Sequence, residues 1–252
     1  MTRWKAGGIH FTISVVIATA LIASMLALWY PPPYFSVMGG ATLILLIVGC
    51  DVVLGPLMTT VIYRKDKKGL VLDLAIIAFL QTAALTYGLY MMFEARPVFT
   101  VFAVDRFEVV AANQIRREEL ARAKVPAFAT LPLTGPLIVG AVLPTDPKEQ
   151  FAVAMGAMSG GEDIKNLPRL YVAYDSIAAS AAGRARPLKE LVMRPDVRTE
   201  IQEKLHNQGS LEHYGYLPLV GRFRSISVIV DNRTGQIRAM IDAPPALNGA
   251  AS

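Results

Sequence analysis

The residue best placed to do unusual chemistry is a carboxylate in apolar surroundings. Asp51 sits in VGCDVVLGPL (residues 48–57), where no other charged side chain occurs and Gly55-Pro56 follows within about one helical turn. Enzyme patterns are scarce by comparison. The three histidines, His10, His206 and His213, are not a pair one helical turn apart with a glutamate between them, as zinc hydrolysis would need. Met158-Ser159-Gly160-Gly161 has Ala157 where a nucleophile elbow needs glycine, and no strand signal leads into it. No glycine-rich loop precedes a Lys-Ser or Lys-Thr pair, and no calcium loop of alternating Asp and Asn is present. Glu118-Glu119 and Glu162-Asp163 lie on polar stretches and read as solvated faces. Cys50 is the only cysteine, so no disulfide can form within the chain, and it reads as a small packing residue. We therefore expect no enzyme, no metal and no cofactor.

What surrounds Asp51 decides what it can do. The 252 residues are 53% hydrophobic and 18% charged, with a mean hydropathy of +0.41, against about 25% charged in soluble domains. The excess is confined to the front of the chain. Three stretches, about 9–29, 40–63 and 70–93, exceed the roughly 18 to 20 apolar residues that cross a hydrocarbon core. The spacing predicts a membrane domain over 1–93 with three transmembrane α-helices, followed by an α+β domain over 94–252. The first stretch runs past Ala18-Thr19-Ala20 to Trp29-Tyr30, beyond the about 7 to 15 residues of a signal-peptide core. A retained span is expected.

Lys and Arg collect on the side that stays in the cytoplasm. Arg3 and Lys5 precede the first stretch, PPPYFSVMGG between the first two is uncharged, and RKDKKG lies between the second and third. The N-terminus and second loop are thus expected inside, and 94–252 outside. Trp29, Tyr30 and Tyr34 at the outer edge, and Trp4 and Tyr63 at the inner one, fit an aromatic belt. A sequence pI of 9.3 then reports topology, because basic and acidic residues nearly balance beyond residue 93. No nucleic-acid partner is expected.

Beyond residue 93 the elements are ordinary. VFTVFAVDRFEVVAA (98–112) reads as a strand that bends or ends at Asp105-Arg106, and 113–124 as a short exposed helix. A second strand is expected over Gly135–Leu143. Asp146-Pro147-Lys148-Glu149 starts a helix that stops at Ser159-Gly160-Gly161. Another begins near Pro195, with Val197, Ile201 and Leu205 on one stripe and Gly209 past its end. Residues 222–242 form a C-terminal β-hairpin with Gly235 at positive φ, ended by Pro244-Pro245. ALNGAAS is a frayed tail.

A carboxylate at the centre of a span costs at least about 2.5 to 3.5 kcal/mol and should face protein. Counting from the inner ends of the second and third spans puts Asp51 level with Gln81-Thr82. Either Asp51 bonds Gln81 or Thr82 across the helix pair, with Gly49 and Gly55 allowing close approach, or it receives a polar group from another membrane helix. Pro56 leaves a backbone carbonyl free for a partner in both cases. Asp73 either interacts with the dipole at its helix N-terminus or meets a cation at headgroup level.

GIHFTIS (8–14), DVVLGPLMTTVIY (51–63), KKGLVLDLAIIAFLQTAALTYG (67–88), ARPVFTVFAVDRFEVV (95–110), LPRLYVAYD (167–175) and LPLVGR (217–222) resemble the TfpX/TfpZ family of type IV pilin accessory proteins. The resemblance runs in order along almost the whole chain and departs chiefly at Ala173, where proline is expected. It implies a chaperone-like accessory factor of the bacterial inner membrane with a periplasmic domain and no catalytic activity. Its partners would be a type IV pilin, the lipid bilayer and other pilus assembly machinery. The pilin helix would meet the spans near Asp51, Asp73 or Gln81. Tyr171, Tyr174, Tyr214 and Tyr216 are candidate contacts for the pilin head, with core packing as their alternative fate. A membrane-anchored periplasmic sensor signalling through a separate partner is the competing function.

Overall fold

A computed structural model describes residues 2–205 and 210–245. The expectations for His206, Gly209 and ALNGAAS fall outside the described residues. The chain divides into two compact units, Met1–Phe35 with Gly39–Arg96, and Ser36–Met38 with Pro97–Ser252.

The first unit is helical because its sequence offers long apolar runs in which glycines are few and Pro56 is the single proline. The first helix, Arg3–Leu28, is capped by Thr2, whose side chain accepts from the Lys5 amide at 3.3 Å. The last, Leu70–Glu94, is entered through Gly69 at φ +84°. Both are long and apolar enough to cross a membrane. Few of their side chains are buried: Val71 is 83% and Phe79 71% exposed. Such a surface in water would forfeit about 25 cal/mol per Å² of apolar area. Between them the backbone is helical in three consecutive pieces, an α-helix Gly40–Val48, a π-helical turn Gly49–Leu54 and an α-helix Gly55–Ile62. None of these pieces alone reaches membrane length.

The aromatic belt is only partly as expected. Trp4 is exposed, but Tyr30 and Tyr34 are buried. Tyr30 donates its hydroxyl to the Met92 carbonyl at 2.9 Å, which satisfies its polar end inside the protein rather than among headgroups. Trp29 packs edge-on against Phe93 with ring centroids 5.2 Å apart.

The second unit is built on a mixed sheet. Its strands are β1 Pro97–Ala103, β2 Arg106–Ala111, β3 Leu137–Ala141, β4 Tyr171–Ala173, β5 Arg186–Pro187, β6 Tyr214–Val220, β7 Ser225–Asp231 and β8 Ile237–Ile241. Their order is β4-β3-β1-β2-β6-β7-β8, with β5 paired to β6. The β1–β3 and β2–β6 pairs are parallel and the others antiparallel. Every residue of β1 is buried, which explains why it reads as a continuous apolar run. Phe99, Phe128 and Tyr171 anchor one core cluster. Leu188, Leu191, Tyr216 and Ile229 anchor another, closed by the helix Pro195–Lys204.

The expected strand over 98–112 is two strands. The chain reverses at Val104, whose φ is +59°, and the Asp105 amide donates to the Ala103 carbonyl at 2.7 Å. A β-branched residue in this region is strained, so no turn signal marked the reversal. The helix expected over 113–124 shrinks to a 3-10 turn, Ala112–Gln114, and one α-turn, Arg117–Leu120. Glu119 corrects the solvated-face reading: it is 2% exposed, held by Arg122 at 2.7 Å and by Arg169. Arg169 comes from 50 residues away, beyond the reach of local pattern.

Other expectations hold. Asp146 caps the helix Pro147–Met158, accepting from the Lys148 amide at 3.1 Å, and Gly160 follows its end at φ +72°. Val197, Ile201 and Leu205 are all buried. β7 and β8 form the hairpin with Gly235 at φ +72°, where a Cβ would strike the Ala178 carbonyl. β6 was not anticipated, since Pro218 argues against a central strand. It is tolerated between two short partners, β5 at Gly215-Tyr216 and β2 at Leu219-Val220.

Two expectations follow for stability. Removing the charge at the buried Glu119 leaves Arg169 with only its longer contact to Glu149 at 3.4 Å, so Glu119→Gln should lower the unfolding free energy by up to about 3 kcal/mol, read by chemical denaturation in detergent. Asp231, in the β7–β8 turn, accepts from the Thr234 and Arg233 amides, each at 2.9 Å. Led by the Thr234 bond, these contacts hold its pKa down to about 2, from 3.8. A depressed carboxylate stabilises the fold above its unfolded pKa and ceases to as pH falls through its folded value. Asp231→Asn should therefore lower the thermal midpoint at pH 7, and its deficit relative to the wild type should close between about pH 4 and 2.

Candidate functional site

Asp51 lies in the π-helical turn and is 8% exposed. The turn has a backbone cause. In a π pattern each amide bonds five residues back, so the carbonyl of Asp51 would take the amide of residue 56. That residue is Pro56, which has none. Gln81, on the last helix, fills the gap: its Nε2 donates to the Asp51 carbonyl at 3.4 Å. Gly55 makes this possible, because a Cβ there would overlap the Gln81 amide. Turns of this kind recur at functional sites.

The expected pairing of Asp51 with Gln81 forms: the Gln81 amide bonds the backbone carbonyl and also reaches the carboxylate. The Asp51 Oδ1 is buried and, among the described residues, has no hydrogen-bond partner. Gly49 does not have the close-packing role expected of it, since a Cβ there would meet nothing within 4 Å. Gly7 does: a Cβ on it would collide with the Thr60 hydroxyl and lie 3.3 Å from the Pro56 carbonyl. Beside this contact His10 Nδ1 and Thr59 Oγ1 are 2.6 Å apart. Gly7, His10 and Thr59 were missed as site residues. A histidine inside an apolar span was the available signal.

Asp73 lies in the first turn of its helix, as the dipole reading requires, and also pairs with Lys67 at 2.5 Å. Both side chains are substantially exposed, so the pair adds at most about 1 kcal/mol. Cys50 is a free thiol beside Asp51.

The candidate tyrosines are mostly internal. Tyr171, Tyr174 and Tyr216 are buried, and the last two donate to the Gly235 carbonyl at 2.6 Å and to Glu190 at 2.9 Å. Tyr171 donates to the Lys165 carbonyl. Burial raises the pKa of all three, so they remain neutral donors. Their place inside the sheet is core packing, and Tyr214 alone of the four is partly exposed. Among the described residues no three His, Cys, Asp or Glu side chains converge as a metal ion would require.

Apolar helices of membrane length ahead of a mixed-sheet domain, with one carboxylate buried among the helices, define the class. Over 249 residues the chain is 34% identical to the fimbrial assembly proteins of serogroups I and E1 of Dichelobacter nodosus, 95% of each chain being covered. It is 38% identical over 121 residues to that organism's fimbrial assembly protein of serogroups C1 and C2, which covers 47% of this chain and 92% of the relative. The family model for fimbrial assembly protein FimB matches residues 1–39. No solved structure matches. The chain belongs to the fimbrial assembly protein family.

The compensation of Pro56 by Gln81 is measurable as a coupling. Gln81→Leu alone orphans the Asp51 carbonyl and should cost about 1 kcal/mol of helix-packing stability. With Pro56→Ala, which restores an amide, the same change should cost much less. Thermal unfolding of the four variants in detergent reads the cycle, and additive effects would deny the coupling.

Proposed function

We propose that this chain is a type IV pilin accessory protein of the TfpX/TfpZ type, a chaperone-like factor of the bacterial inner membrane that binds its pilin and promotes assembly. The observation that carries the reading is its relation, over 95% of both chains, to proteins named for fimbrial assembly. The apolar helices support it, as does the series of motifs shared with pilin accessory proteins.

In this reading the chain crosses the bilayer three times, the broken helix Gly40–Ile62 supplying the middle crossing. The N-terminus is cytoplasmic and the sheet domain periplasmic. The last helix offers the pilin's own membrane helix a fitting surface: an exposed groove at Phe79, Thr82, Ala83, Thr86, Tyr87 and Tyr90. These residues recur at helical spacing, with small side chains between aromatic ones. Small residues let two backbones approach, and the hydroxyls supply hydrogen bonds across the pair. Asp51, whose buried Oδ1 lacks a donor among the described residues, supplies the polar contact at depth as the helices around it part for the partner, and Asp73 exchanges its Lys67 pair for one near the inner surface. The protein holds and hands over its partner without catalysing a covalent step.

Photocrosslinking in cells tests this directly. A photoreactive residue at Tyr87 or Val53, both exposed, should capture pilin, identified by mass spectrometry. Asp51→Leu should reduce co-purification of pilin several-fold. Normal piliation after deletion of the whole protein would overturn the reading.

A further inference from the structure

Ser36–Met38 belongs to the sheet unit although it lies between two apolar helices in sequence. Val37 is fully buried there, and its carbonyl accepts from the Phe223 amide at 3.2 Å. Gly221 is forced by this contact, because a Cβ would collide with Val37. The β6–β7 turn, Gly221-Arg222-Phe223-Arg224, is therefore stitched to a segment that ends two residues before the helix starting at Gly40. If that helix crosses a bilayer, the turn is held within a few residues' reach of the bilayer surface.

The composition of the turn suits that place. Phe223 is 60% exposed, an apolar ring at a hairpin tip with no core to enter. Arg222 stands beside it with its guanidinium carbon 5.7 Å from the ring centroid. Arg224 is partly exposed and pairs with Asp242. Behind the turn a cleft of about 460 Å³ is lined by Met38, Asn113, Gln114, Lys165 and Arg222 among others. Lys165 there is already paired with Glu108, which leaves the exposed Arg222 as the cation lining the cleft without an ion pair among the described residues. An aromatic ring flanked by arginines sits favourably at a membrane interface, the ring among the upper chains and the guanidinium on phosphate.

We propose that the Gly221–Arg224 turn docks the sheet domain onto the outer surface of the bilayer, with Phe223 inserted at headgroup depth and Arg222 bound to the phosphate of an anionic phospholipid. This rests on the membrane-spanning reading of the helices. Docking would fix the domain's height over the membrane, so that it meets its partner's head close to where the partner's helix enters the bilayer.

The test uses the full chain with Cys50→Ala, reconstituted in nanodiscs of phosphatidylcholine with or without phosphatidylglycerol. Single cysteines at Phe223→Cys, Phe79→Cys and Met193→Cys carry a spin label, and collisions with oxygen and with a water-soluble nickel chelate report depth. Phe79 is the hydrocarbon control and Met193, 85% exposed on the sheet unit, the aqueous control. The label at 223 should be several-fold less accessible to nickel than the one at 193 in discs containing phosphatidylglycerol. The shielding should fall in phosphatidylcholine alone and with Arg222→Gln. Accessibility at 223 equal to that at 193, with the 79 label in hydrocarbon, would overturn docking and leave the spans intact. Equal shielding in both lipids would refute anionic recognition, and shielding that needs added pilin would make the turn a protein contact. A 79 label in water would defeat both readings.

Discussion

An apolar helix cannot leave a backbone carbonyl without a donor, and that constraint organises the helical unit. Pro56 removes one amide from the middle of a helix, and the backbone answers by widening into a π turn that places Asp51 inward. The orphaned carbonyl is then met from the next helix by Gln81, over a glycine that keeps the path clear. A single missing N–H thus sets where the carboxylate sits, which helices approach, and which glycine cannot be replaced without displacement. The carboxylate itself is carried into the interior by this backbone geometry, and its Oδ1 acquires no donor among the described residues.

The sheet unit is governed by a different balance. Its central strand is buried on both faces, so the remaining strands and short helices serve mainly to cover it. Most polar groups taken inside are matched: Glu119 by two arginines, and the hydroxyls of Tyr171, Tyr174 and Tyr216 by carbonyls or a carboxylate, whereas the buried Asn166 Oδ1 has no partner among the described residues. These tyrosines lock distant segments together. Tyr174 reaches the turn of the last hairpin, 61 residues away, where Gly235 leaves room for the backbone of Ala178. The family relation and the fold fit each other, in that helices and sheet unit alike lie within the part of the chain shared with the fimbrial assembly relatives.

Local signals read well from sequence. The capped helix at Asp146, the stripe of Val197, Ile201 and Leu205, and the Gly235 hairpin depend on interactions within a few residues, so residue types at fixed spacing define them. The level of Asp51 against Gln81 was also legible, because helical rise is constant. The signals that failed were those that depend on remote neighbours. Val104 turns the chain against its own preference, and Pro218 sits in a central strand where two short partners leave a gap. Glu119 reads as solvated until Arg169 arrives.

The sequence by itself determined that long apolar helices precede an α+β domain, since hydropathy and charge are sums over neighbouring residues. Only the tertiary structure decided that Gln81 serves the backbone carbonyl of Asp51 as well as its side chain, that the three tyrosines point inward, and that Val37 is claimed by the sheet unit. Each of these turns on which atoms from distant parts of the chain come within hydrogen-bonding or contact distance. Spacing along the chain does not encode that distance.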